Sequence, residues 1–83
     1  MNEDKLLKRI KIIANKSRFN ILKLTQGKEL SITKLTKILK ISYNKCNDYV
    51  RMLYRLNLID KRKVGRKVLI KSKVLLNDNI IFN

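Results

Sequence analysis

The chain has no histidine, proline or tryptophan, a single cysteine (Cys46) and only two glycines among 83 residues. One thiol excludes an internal disulfide, and without histidine a transition-metal site has almost no ligands to draw on. Six acidic residues form no paired-carboxylate constellation, and two glycines make no phosphate-cradling loop, so catalysis is not expected and no cofactor is implied. No apolar run approaches the roughly 18–20 residues needed to cross a bilayer. The N-terminus, MNEDKLLKRI, starts acidic and lacks the apolar centre of a signal peptide, so a cytoplasmic protein is expected.

What the chain has in excess is positive charge. Lysine and arginine number 21 against six acids, a formal net charge of +15 with an isoelectric point near 10.4. A field of that size attracts polyanions, which points to nucleic acid or an anionic membrane surface. The charges are spread along the chain rather than gathered on one amphipathic helix, which disfavours the membrane. Residues 1–83 read as one domain, and a domain this small buries only roughly 60–65% of its unfolded surface. Its core is thin, and dimerisation would add to it.

The most informative stretch is 31–56, SITKLTKILKISYNKCNDYVRMLYRL. Two short amphipathic helices fit it, joined by a tight turn at Lys40-Ile41-Ser42. Ser31 and Ser42 each stand where a helix N-cap belongs, with an oxygen available to an orphan amide. Ile32, Leu35, Ile38 and Leu39 form one apolar stripe, and Cys46, Val50, Leu53 and Leu56 another. Cys46 reads as a small buried residue rather than a redox sensor. The other face of the second helix carries Ser42, Tyr43, Asn44, Lys45, Asn47, Asp48 and Arg51, groups suited to base edges or phosphates. This is the layout of a helix-turn-helix, one helix bracing and the next presented to the DNA major groove. Asp48 has two readings: it accepts from a cytosine amino group, or it holds Lys45 or Arg51 by a salt bridge. Tyr49 and Tyr54 read as packing residues.

Upstream, a helix over 3–14 places Leu6, Ile10 and Ile13 on one face, a candidate dimerisation seam. Ser17 is positioned to cap a second helix over 18–26, with Phe19, Ile21, Leu22 and Leu24 inward and Gly27 ending it. Lys28-Glu29-Leu30 reads as a connector able to pair briefly as a strand. Asn57 suits a left-handed helix terminus. The run 60–72 has a hairpin signature, with Gly65-Arg66 as a two-residue type II′ turn between strands 60–64 and 67–72. Its tip is basic through Lys61, Arg62, Lys63, Arg66 and Lys67. Val68-Leu69-Ile70 breaks alternation, leaving the buried face of that strand open. The tail 74–83 gives no clear element.

The expected fold is therefore mainly α with a small β-hairpin: a winged helix-turn-helix of three helices and a two-stranded wing. Residues 13–72 resemble the DNA-binding core of ArsR-type transcriptional regulators. Asn15-Lys16-Ser17-Arg18-Phe19-Asn20-Ile21-Leu22 is similar to that family's D-P-T-R-L-x-I-L segment. Ser31-Ile32-Thr33-Lys34-Leu35 through Ile41-Ser42 is similar to its brace helix and turn, and Gly65-Arg66 falls at its wing tip. The chain departs from the family with Lys16 for proline and with Lys40 and Asn57 where glycine is common. The paired cysteines and the acid and histidine sets of the metal-sensing members are missing, so metal sensing is not carried over.

The resemblance and the charge together imply a homodimeric regulator of double-stranded DNA. Residues 42–45, 47, 48 and 51 would face the major groove, while Lys34, Lys37, Arg62, Arg66 and Lys67 neutralise phosphate or enter the minor groove. The alternative is an architectural or nucleoid protein that coats DNA with little sequence preference, a reading the size of the charge supports.

Overall fold

The computed structural model describes residues 15–74 together with positions 4, 7 and 11. The seam residues Leu6, Ile10 and Ile13, and the tail from 75 onward, lie outside the described residues. The described chain runs α1 (Lys16–Leu24), β1 (Leu30–Ser31), α2 (Ile32–Leu39), α3 (Tyr43–Arg55), β2 (Ile59–Val64) and β3 (Lys67–Ser72).

Each boundary has a local chemical cause. Helix α1 begins two residues earlier than Ser17 predicts, because Asn15 is the cap: its side-chain oxygen accepts from the Arg18 N–H at 3.1 Å. Both residue types cap well, and the earlier one here captures the orphan amide. The helix also ends earlier, at Leu24; buried Thr25 donates its hydroxyl to the Ile21 carbonyl at 2.7 Å, and Gly27 turns the chain at φ +71°. Ser31 and Ser42 cap α2 and α3 as expected, accepting from Lys34 N–H at 3.0 Å and Lys45 N–H at 3.1 Å.

Lys40 stops α2 in the left-handed conformation (φ 57°, ψ 46°), and the Ile41 N–H returns to the Thr36 carbonyl at 3.2 Å. Asn57 does the same for α3 at φ 60°, with Asn57 N–H on Tyr54 O at 2.9 Å and Leu58 N–H on Leu53 O at 3.0 Å. This is the full Schellman pattern, and its customary apolar contact is supplied by Leu53 and Leu58, both buried.

The strands form one antiparallel sheet in the order β1-β3-β2, so the two-stranded wing expected from sequence gains a short third strand at its base. β2 and β3 pair from Ile59↔Ser72 to Val64↔Lys67, which leaves Gly65-Arg66 as the loop. Gly65 alone of that pair has positive φ (+61°), as a type II′ turn requires. The central position of β3 settles the Val68-Leu69-Ile70 question. Ile70 is buried toward the helices, Val68 packs on the same side, and Leu69 is half-buried between β1 and β2 on the other.

The core unites Ile21 and Leu22 of α1, Ile32 and Leu35 of α2, Cys46, Val50 and Leu53 of α3, and Leu58, Ile59, Ile70 and Val74. Ile38, placed in the α2 stripe by spacing, is 43% exposed instead, and Leu39 and Leu56 are only partly covered. An eight-residue helix crossed on one side has room to bury only the i, i+3 pair Ile32 and Leu35. Helix, turn, helix and hairpin in this order make a winged helix-turn-helix.

Candidate nucleic-acid interface

Three buried residues, Cys46, Val50 and Leu53, hold α3 against the core and thereby fix which of its faces meets solvent. Ser42, Tyr43, Asn44, Lys45, Asp48 and Arg51 are exposed, while Asn47 is partly covered by its neighbours. Tyr43, beside the cap, exposes half of its surface. No hydrogen bond occupies the side chains of Asn44, Lys45 or Asn47 among the described residues, so their donors and acceptors are unused there. Ser42 spends its oxygen on the cap but keeps its O–H as a donor. Asp48 lies 3.7 Å from Arg51 across one turn, the salt-bridge arrangement allowed for it in the sequence.

The cap of α3 also matters electrostatically. The first turn of a helix carries the positive end of the backbone dipole, which favours an anion beside it. Tyr43, Asn44 and Lys45 form that turn, and no acid sits in it. Lys34 and Lys37 are exposed on α2. Hydrogen-bonded ladders carry the wing away from the core: every residue from Asp60 to Lys67 is exposed, including the cations Lys61, Arg62, Lys63, Arg66 and Lys67.

The wing cations are not equivalent. Arg62 is bound at both ends of its fork by Glu29: Nε donates to Oε2 at 2.7 Å and Nη2 to Oε1 at 2.8 Å. This hydrogen-bonded guanidinium holds the Glu29 carboxyl below its ordinary pKa. Lys61 sits with Nζ 4.4 Å from the centroid of the Tyr54 ring. Tyr54, expected to pack, is 51% exposed and offers its face to this cation instead. Asp60 and Lys73 lie 3.9 Å apart at the wing's base, where Lys73 also donates to the Asn57 side-chain oxygen at 2.6 Å. No ion pair among the described residues involves Lys63, Arg66 or Lys67.

Two residues of the site were missed in the sequence. Glu29 carries no motif; its one signal was being an acid in a chain of 21 cations. Arg18 reaches from α1 to α3, where it lies 5.6 Å from the Tyr49 ring centroid and donates to Met52 Sδ at 3.0 Å. It braces α3 against α1.

Burial pushes the Cys46 thiol up in pKa, away from the reactive thiolate. Among the described residues, no three of the types that ligate metals come together. A cleft of about 490 Å³ between α1 and α2 is lined by Asn20, Lys23, Leu24, Gln26, Lys28, Ile38 and Leu39, with no carboxylate, hydroxyl or thiol side chain in it. No described helix is long and apolar enough to cross a membrane.

No protein-family profile matches the chain, and no curated protein matches it in sequence. Solved structures do. The transcriptional regulator HlyU from Vibrio vulnificus CMCP6 is similar at 29% identity with a TM-score of 0.76, over 88% of this chain and 76% of that one. HlyU from Vibrio cholerae N16961 is similar at 28% identity with a TM-score of 0.79, over 86% and 77%. The homodimeric winged helix-turn-helix DNA-binding domain Mb0332 from Mycobacterium bovis, a candidate ArsR-family regulator, is similar in fold at 19% identity and a TM-score of 0.75, over 83% and 64%. Solved structures similar to this chain thus include a transcriptional regulator, a winged helix-turn-helix DNA-binding domain and an ArsR-family transcriptional regulator.

Proposed function

We propose that this protein binds double-stranded DNA as a homodimer and regulates transcription, with α3 in the major groove and the wing on the backbone or in the minor groove. The observation that carries the reading is the exposed, hydrogen-bond-rich first half of α3 standing on the same scaffold as a protruding cationic wing. Ser42, Tyr43, Asn44, Lys45, Asn47, Asp48 and Arg51 read bases or fix the helix on the duplex. Lys34, Lys37, Arg66 and Lys67 neutralise phosphate, which supplies affinity without sequence information. Mb0332 is described as homodimeric, and HlyU as a transcriptional regulator; both properties are carried to this chain as part of the proposal. So is a seam through Leu6, Ile10 and Ile13. Leu7, on the same segment, exposes 53% of its surface in the single chain.

A net charge of +15 supports a second reading, an architectural protein that coats DNA with little preference for sequence. Selection of bound duplexes from a random pool, followed by Asn44→Ala and Asn47→Ala, separates the two. Base readout predicts a loss of about 1–3 kcal/mol on the selected site with random DNA spared. Equal losses on both DNAs favour the architectural reading.

A further inference from the structure

The wing contains a cation that the rest of the molecule keeps occupied. Arg62 lies in β2 opposite Leu69 of β3, and Leu69 lies opposite Ser31 of β1. Glu29, just before β1, therefore reaches Arg62 across the central strand, and their side chains meet in the two parallel hydrogen bonds given above. That two-toothed geometry is the one a guanidinium offers to a phosphate. The pairs Asp48–Arg51 and Asp60–Lys73 are looser, at 3.7 and 3.9 Å. Their acids are also more exposed, at 64% and 72% against 31% for Glu29.

We propose that Glu29 acts as a built-in substitute for phosphate, holding Arg62 off the DNA and thereby limiting affinity for non-cognate duplex. The inference rests on the DNA-binding reading above and names a residue that sets its specificity. For Arg62 to reach the backbone, two charge-assisted hydrogen bonds must break. A bare carboxylate is then left beside a polyanion, an arrangement that Coulomb repulsion opposes. The carboxyl is ionised at neutral pH, so the restraint is present under ordinary conditions. The pair is solvent-exposed and takes no part in the core, so it adds little to stability. A chain with so large a cationic excess has reason to contain such a restraint. Each additional phosphate contact strengthens binding to every sequence alike, and specificity is the ratio of cognate to random affinity.

The test is the salt dependence of binding to a random-sequence duplex for the native protein, Glu29→Ala, Arg62→Ala and the double variant. Each phosphate neutralised contributes about −0.9 to the slope of log K against log salt. Glu29→Ala is expected to bind random DNA more tightly, with a slope steeper by about 0.9. Arg62→Ala leaves the Glu29 carboxylate bare and should bind more weakly than the native protein, while the double variant, which removes both charges, should keep the native slope. Glu29→Gln, with the same shape and no charge, should steepen the slope in the same direction and serves if the alanine variant folds poorly. An unchanged or flatter slope on removing Glu29, or a double variant flatter than the native protein, overturns the inference while leaving DNA binding in place. Failure of the native protein to bind duplex at all overturns the proposed function and this inference with it.

Discussion

Helix α3 and the wing both offer polar and cationic side chains to solvent, but different physics holds each in place. Helix α3 is fixed on one side by Cys46, Val50 and Leu53, capped by Ser42 and closed by Asn57 and Leu58. The wing has one fully buried residue on each strand, Ile59 and Ile70, and beyond the half-buried Val68 and Leu69 only its own ladder supports it. On α3 the outer face inherits its position from the inner one, so the proposed readout and stability are coupled through a single element. At the wing tip they are separate, because Arg66 and Lys67 bear on no core residue.

The largest effect that sharpens this contrast is on the inner face of α3. Leu53→Ala removes a fully buried side chain that also closes the helix terminus with Leu58. A loss of about 2–5 kcal/mol is expected, a large share of the ~5–15 kcal/mol that stabilises a typical domain. Denaturant unfolding should show the midpoint falling, with DNA binding lost in proportion to the unfolded fraction. A variant as stable as the native protein would mean that α3 is not held by this face.

The wing tip should give the opposite pattern. Replacing Arg66 and Lys67 with alanine is expected to flatten the salt slope of DNA binding by up to ~2 units, while the melting temperature stays put. An arginine inserted into a narrow A·T-rich minor groove, rather than set on a phosphate, would show instead as a lost preference for A·T-rich flanks. Affinity, slope and flank preference all unaltered would remove the wing from the interface.

The same contrast explains what the sequence disclosed. Caps and stops are local chemistry, so Ser31, Ser42, Asn57 and Gly65 could be read from the chain and stand where expected. Asn15 prevailed over Ser17 because two good caps two residues apart differ only in which amide each captures. Burial is less local. Ile38 has helical spacing but no partner above it, and Leu69 is half-covered because β1 joins the sheet on the far side of β3. The Glu29–Arg62 pair depends on the register of three strands, the first well before the hairpin in sequence, since Glu29 and Arg62 lie 33 apart. No short-range pattern encodes it. The outer face of α3 was legible as a set of residues because its inner stripe was, which is why the proposed readout positions all fall on the exposed or half-exposed side.

The smallest effect concerns the turn that sets α3 against α2. Lys40 occupies the left-handed region at φ 57°, ψ 46°, where the family this chain resembles commonly has glycine. A residue with a β-carbon is strained there by roughly 1–2 kcal/mol. Glycine lifts that strain but loses more backbone freedom on folding, by roughly 0.5–1 kcal/mol. Lys40→Gly should therefore gain up to ~1.5 kcal/mol, the difference between the two terms. The exposed Lys40 also carries a charge, so its removal alone could shift stability in so basic a protein. Lys40→Ala provides the control: it removes the same charge and keeps the β-carbon. Glycine melting above alanine would assign the gain to the backbone. Equal melting of the two variants would show that the Thr36–Ile41 closure holds the turn without measurable strain. The helix-turn-helix angle would then be set by the packing of Ile41 and Leu35, and not by the backbone of the turn.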